Sequence, residues 1–243
     1  MTKMNSMRIL IHTLAAGLLL TLFSCDFGDD EKREFTFTPD VILMKKEQNG
    51  TIHYALAYYV YSNQKIESAH VQTPEGETIP LTALGTPLIT YARVPDDNDF
   101  SPDVSFGPYT FIATNSDGTE KTEQDILSDN SLTIPEITDI TYHPNNLSLE
   151  VTWTPTAGAE NYFVKIVNAG DKKTTYTGYQ VDPDSTSYTV NRNDQGWESA
   201  PVSGISYILQ LNAILYEENS NLKERYYHVN AISIDEETFI WGQ

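Results

Sequence analysis

The chemistry open to this chain lies in carboxylate oxygens and aromatic rings. Its densest acidic cluster is Asp96, Asp97 and Asp99, followed by Asp103, in a loop flanked by Pro95 and Pro102. Calcium requires such hard oxygens close together, six to eight of them at about 2.3–2.6 Å. Calcium on Asp96, Asp97, Asp99 and Asp103 is therefore the metal expectation, with a solvated acidic loop as its competitor. The spacing is not that of an EF-hand, which needs a glycine and a distal glutamate at fixed offsets. No other cofactor is expected. Trp197 stands in the polar run Asp194-Gln195-Gly196-Trp197-Glu198, where an indole presents a flat apolar face to a sugar ring while neighbouring amides and carboxylates bond its hydroxyls. With Tyr176 and Tyr179 it defines a candidate glycan contact. The competing reading folds Trp197 back over the end of a core, and Trp241 is open to the same two readings. Alternation makes Tyr176 and Tyr179 equally good neighbours on a pleated face.

Other chemistry is missing. There is no G-x-S-x-G, H-E-x-x-H, G-x-G-x-x-G or P-loop pattern. A single cysteine, Cys25, excludes an intrachain disulfide and a cysteine-rich zinc site. His53, His70, His143 and His228 are too widely spaced to suggest metal ligands and read as strand or loop histidines. A glycosidase pair needs two carboxyls about 5–9.5 Å apart across a cleft, which packed sandwich faces rarely provide, so the chain is expected not to be an enzyme. A formal net charge of -19 over 243 residues repels phosphate backbones and excludes nucleic acid as a partner.

The elements that must carry these residues are strands. From Phe35 onward the pattern alternates with period two, rich in β-branched and aromatic residues and broken by Gly, Pro, Asn and Asp clusters. Predicted strands in the first half are 41–46, 51–61, 68–73, 78–82, 89–94, 109–115 and 119–125. Asn49-Gly50, Pro74-Glu75-Gly76 and Asn115-Ser116-Asp117-Gly118 supply the turns. This spacing predicts an immunoglobulin-like sandwich over residues 35–128. Gly107-Pro108-Tyr109-Thr110-Phe111-Ile112-Ala113 resembles the penultimate strand of that fold, with Tyr109 as its corner tyrosine. The polar stretch Leu127 to Glu136 marks a boundary.

Beyond it, residues 134–243 resemble a fibronectin type III domain. Leu147-Ser148-Leu149-Glu150-Val151-Thr152-Trp153-Thr154-Pro155 resembles its strand B, with Trp153 as core tryptophan. Ala159 to Ile166 resembles strand C, Ser187-Tyr188-Thr189-Val190 strand E, and Gly204 to Ala213 strand F with Tyr207 as corner tyrosine. Departures are a long segment, Asn191 to Ser203, and an added tail, Glu236 to Trp241. The fold class is thus all-β: two tandem immunoglobulin-like and fibronectin type III β-sandwiches.

Residues 1–24 combine a basic start, Lys3 and Arg8, with the apolar run Leu14 to Phe23. That run is too short for a permanent span of about 20 residues and reads as a signal peptide. Leu22-Phe23-Ser24-Cys25 resembles the bacterial lipobox, which implies lipidation of Cys25 and anchoring to a membrane without crossing it. Asp26-Phe27-Gly28-Asp29-Asp30-Glu31, within the tether 25–34, resembles the export signal of Bacteroidota surface lipoproteins. The implied location is the outer membrane, at the cell surface, with a periplasmic face as the alternative. Asp184-Ser185-Thr186 resembles an O-glycosylation sequon of the same bacteria. These features together suggest a non-catalytic binding or adhesion module for a polysaccharide or cell-envelope protein. A structural or accessory subunit of an outer-membrane transport or fibre assembly is the alternative, and a polysaccharide- or peptide-degrading enzyme the third reading.

Overall fold

The computed structural model describes residues 33–218, 220 and 227–243. The signal peptide, Cys25 and the acidic run Asp26 to Glu31 lie outside the described residues. Seven strands follow: β1 (Phe37–Gln48), β2 (Thr51–Ser62), β3 (Ile66–Gln72), β4 (Thr78–Ala83), β5 (Thr90–Arg93), β6 (Gly107–Asn115) and β7 (Glu120–Leu127). Each expected strand of this half coincides with an observed one to within two residues at either end, except that β1 begins four residues before the expected position 41. β1 and β2 form a hairpin whose turn, Asn49-Gly50, has positive φ at both residues (53° and 79°). Asparagine and glycine tolerate that left-handed backbone, and its twist matches that of the flanking strands. The β6–β7 hairpin turns at Asp117-Gly118, where Gly118 has φ 80°.

The second half holds β8 (Glu136–His143), β9 (Ser148–Thr154), β10 (Asn161–Asn168), β11 (Thr174–Thr177), β12 (Ser187–Asn191), β13 (Ser206–Tyr216) and β14 (Val229–Ile240). A three-stranded sheet, β12-β9-β8, packs on β11-β10-β13-β14. The Glu236 to Trp241 segment is not an appendage. Residues 236–240 are the second half of β14, paired with β13 from Gln210↔Glu236 to Ser206↔Ile240, and Trp241 is buried. Thr and Tyr residues with no apolar alternation make β11, which is why its strand character is not visible in sequence.

Two cores result. Val41, Leu43, Val60, Val71, Tyr109 and Phe111 anchor the first; Trp153, Tyr162, Leu209, Leu211 and Trp241 anchor the second. Each such buried side chain contributes about 1.5–3 kcal/mol. The Tyr109 hydroxyl donates to the Ser105 carbonyl at 2.7 Å, and the Tyr207 hydroxyl accepts from the Val202 amide at 3.0 Å. Both corner tyrosines therefore lock the loop that leads into their own strand.

The sandwiches share one sheet. β14 pairs in parallel with β1, Leu43↔Ala231 through Lys46↔Ile234, so eleven strands form one hydrogen-bonded order, β11-β10-β13-β14-β1-β2-β5-β4-β3-β6-β7. A third apolar cluster, Ile42, Ala57, Ile214, Tyr216 and Val229, covers the other face of that sheet at the joint. Alternation fails where both faces are covered: Asp40, Val41, Ile42 and Leu43 are consecutively buried, as are Leu211, Asn212, Ala213 and Ile214. The connection Ser128–Pro135 is tied down as well. Asn230 accepts from Ser128 Oγ and donates to the Asn130 carbonyl, and Lys45 Nζ and Ser233 Oγ both donate to the Leu132 carbonyl.

Candidate functional site

The acidic loop becomes a short 3-10 turn, Asp97–Asp99, and its own structure consumes its carboxylates. Asp96 caps the turn by accepting from the Asn98 amide at 2.7 Å, while Asp99 accepts from the Asp96 amide at 2.8 Å. Asp97 accepts from Lys46 Nζ at 2.6 Å and lies 3.7 Å from Lys172 Nζ. Asp99 pairs with Arg93 at 2.7 Å. Lys46 is 3% exposed, sits 4.3 Å from the centre of the Phe100 ring and lies 3.5 Å from Glu236. Its hydrogen bond holds the Asp97 carboxyl below the usual carboxylate range. Asp103 is exposed apart from this turn, and only its backbone oxygen is engaged, by Ser101 Oγ. The geometry is that of an acidic loop neutralised by three basic side chains, two from strands of the first sandwich and Lys172 from the second.

The aromatic candidates separate. Tyr176 is 1% exposed, and its hydroxyl lies 3.0 Å from that of Tyr188. Its ring is therefore closed to a sugar. Trp197 is half-buried: its ring centroid lies 4.8 Å from that of Tyr176 and 5.3 Å, edge-on, from that of Trp241. The indole nitrogen donates to the Asn191 carbonyl at 2.8 Å. Gly196 permits this docking, since a β-carbon there would stand 2.3 Å from the Thr177 carbonyl oxygen. The Asn191 to Ser203 segment thus folds back over the end of the second core. Of the candidates Tyr176, Tyr179 and Trp197, Tyr179 is the exposed one, at 68%. Asp184 and Thr186 are exposed beside β12.

A different constellation, marked by no local sequence motif, forms at the joint. Asp40 of β1, Asp125 of β7 and Glu217, just past β13, each place a carboxylate oxygen within 4.8 Å of the others. Asp125 is held by two backbone donors, the Val41 amide at 2.7 Å and the Ile126 amide at 2.8 Å. Asp40 is fully buried; its Oδ2 accepts a long bond from the Val229 amide, 3.4 Å, and its Oδ1 has no hydrogen-bond partner. Burial, then the charge of Asp125, drives the Asp40 carboxyl well above its ordinary range. Burial, with Asp125 again second, pushes Glu217 up to about 7. Among the described residues the one ionisable base on this cluster is His228, whose Nδ1 lies 3.3 Å from Glu217 Oε2. The other histidines stand elsewhere, His143 beside Glu150 at 3.0 Å and His53 against the Thr51 carbonyl.

Asp125 and Glu217 also line a cleft of about 680 Å³ at the joint. Gln124, Ser128, Asn130 and Asn230 supply most of its remaining polar wall, and Ile126, 69% exposed, lies at its margin. The sequence signal for this site is faint. Asp40 interrupts the apolar run Val41-Ile42-Leu43-Met44 from its N-terminal side and shares the pleat face of Ile42, so it is buried only because that face is covered.

No protein-family model and no curated protein matches the chain. Among solved structures, it is similar to a two-domain fibronectin type III segment of chicken tenascin, at 14% identity, covering 84% of this chain and 99% of that one, with a TM-score of 0.29. A chicken CNTN1 FN1–FN3 structure gives 12% identity over 84% and 67% of the two chains, TM-score 0.30. A tetra-tandem repeat from the extending region of a large adhesion protein gives 11% identity over 86% and 50%, TM-score 0.26. The strand pairing of this chain, rather than these distant likenesses, defines its class: an all-β protein of two sandwiches in series.

Proposed function

We propose that this is a non-catalytic, lipid-anchored envelope protein that binds a glycan or protein partner in the cleft between its two sandwiches. The observation that carries the reading is the cleft itself, about 680 Å³, walled by amide, hydroxyl and carboxylate groups on a joint that is hydrogen-bonded rather than hinged. Convergent polar groups around an apolar contact suit a hydroxyl-rich ligand. The lipobox-like Leu22-Phe23-Ser24-Cys25 and the acidic run behind it support membrane attachment through Cys25 and display at the cell surface. A catalytic reading is disfavoured because Asp40, though close to two other carboxylates, is sealed from any substrate.

The test is affinity electrophoresis of the full chain, extracted in non-ionic detergent, through gels containing host and plant polysaccharides. Retardation lost in a Gln124→Ala/Ile126→Ala variant and kept in Trp197→Ala is the expected result. The reverse pattern moves the ligand to the aromatic end of the second sandwich. No retardation in any gel, with a stoichiometric partner retained after gentle extraction, overturns glycan binding in favour of an assembly subunit.

A further inference from the structure

The joint gathers three acids and no lysine or arginine pairs with them among the described residues, in contrast to Asp97 and Asp99 of the 97–99 turn, which pair with Lys46 and Arg93. The fully buried Asp40 is the decisive member. Its Oδ1 is satisfied by no donor, one of its carboxylate oxygens lies within 4.8 Å of an oxygen of each of the other two acids, and leaving a buried polar atom unpaired costs about 1–3 kcal/mol. One recognised reason for a structure to retain such a group is an ion or water that completes it.

We propose that Asp40, Asp125 and Glu217 bind a hard divalent cation, calcium in preference to magnesium, and that this ion straps the first sandwich to the second.

The donor set is all oxygen, which selects hard cations over zinc or copper. Two oxygens on opposite sides of calcium, each at about 2.4 Å, stand about 4.8 Å apart. The observed oxygens lie within 4.8 Å of one another, so one point stands within about 2.8 Å of all three, and a small inward rotation of the side chains brings them to calcium's distance. Across magnesium the same separation is only about 4.2 Å, and magnesium keeps a tight octahedron with several waters. The 680 Å³ cleft beside Asp125 and Glu217 offers an entry path and room for water to fill the shell. His228, 3.3 Å from Glu217 Oε2, is placed to orient that carboxylate from outside. Asp40 and Asp125 belong to the first sandwich and Glu217 to the end of β13 in the second. Binding therefore stiffens the joint that forms the cleft.

Calcium and magnesium are titrated separately by calorimetry into the full chain in detergent after chelator treatment, with thermal denaturation in parallel. The expected result is single-site calcium binding with Kd of about 10⁻³ M or tighter. Melting should rise by about 5–10 °C when free calcium exceeds Kd about a hundredfold. Glu217→Gln and Asp125→Asn should each weaken binding at least about tenfold, whereas Asp97→Asn should leave it unchanged. Glu217→Gln keeps the test sharp, because in chelator it should melt no lower than the wild type, so lost binding with intact melting is not a folding defect. Two results overturn the proposal: no heat and no melting shift up to about 10 mM calcium, well past the weakest extracellular sites, or binding that survives Glu217→Gln and disappears with Asp97→Asn.

Discussion

Two acidic clusters stand in this molecule, and their fates are opposite. The turn around Asp97 is exposed, continuous in sequence and neutralised: Lys46, Arg93 and Lys172 surround it, and its remaining oxygens cap backbone amides. The cluster at the joint is assembled from residues 40, 125 and 217, largely buried and free of lysine or arginine among the described residues. Density of acids along a chain is thus a poor guide to which carboxylates are left without a basic partner. What matters is the balance between carboxylates and donors within a few ångströms, since attraction and desolvation both scale with local geometry.

The sharpest break of this contrast is Lys46→Met. Methionine keeps the apolar packing on Phe100 but leaves Asp97 and Glu236 without their buried cation. A loss of about 2 kcal/mol is expected, seen as a fall in Tm of about 4–8 °C, while calcium affinity at the joint stays unchanged. Glu217→Gln should act with the other sign. In chelator it removes a carboxylate that burial and Asp125 disfavour, and after discounting for its partial exposure a gain of about 1 kcal/mol at pH 8 is expected by chemical denaturation. Destabilisation in chelator would show that Glu217 is satisfied by contacts of its own.

The smallest effect is a pH profile with two limbs. Glu217 is raised from 4.5 to about 7 and Asp40 is raised also, so the folded metal-free protein binds more protons than the unfolded chain. The contribution of Glu217 is complete below pH 4.5 and disappears as pH climbs through about 7, and that of Asp40 falls with rising pH in the same direction. Asp97 is lowered from 3.8, so its contribution is present above that value and disappears as pH falls below it. Tm in chelator should therefore peak between these windows and decline by a few degrees on either side. A flat alkaline limb would break the comparison.

Much of the fold was legible in the residues. Asn49-Gly50 and Asp117-Gly118 announce their hairpins because positive φ restricts residue choice. Tyr109, Tyr207 and Trp153 hold the positions their flanking strands imply. β11 was hidden because Thr174–Thr177 carries no apolar alternation, and residues 236–240 read as a tail because Asp235, Glu236 and Glu237 interrupt the apolar pattern of β14. The candidate site was scarcely legible. Trp197 was open to two readings from its polar neighbours, and the fold-back over the core is the one seen, because Gly196 lets the indole close onto Tyr176 and Trp241.

Local chemistry, then, is what the sequence determined alone: strand periodicity, turn backbone and the apolar faces of two cores, each encoded by residues a few positions apart. The parallel pairing of β14 with β1, the cleft at the joint and the meeting of Asp40, Asp125 and Glu217 were decided only by tertiary structure. Their partners lie roughly 90 to 190 residues apart along the chain, and a period-two pattern records which face a side chain takes but not what covers that face.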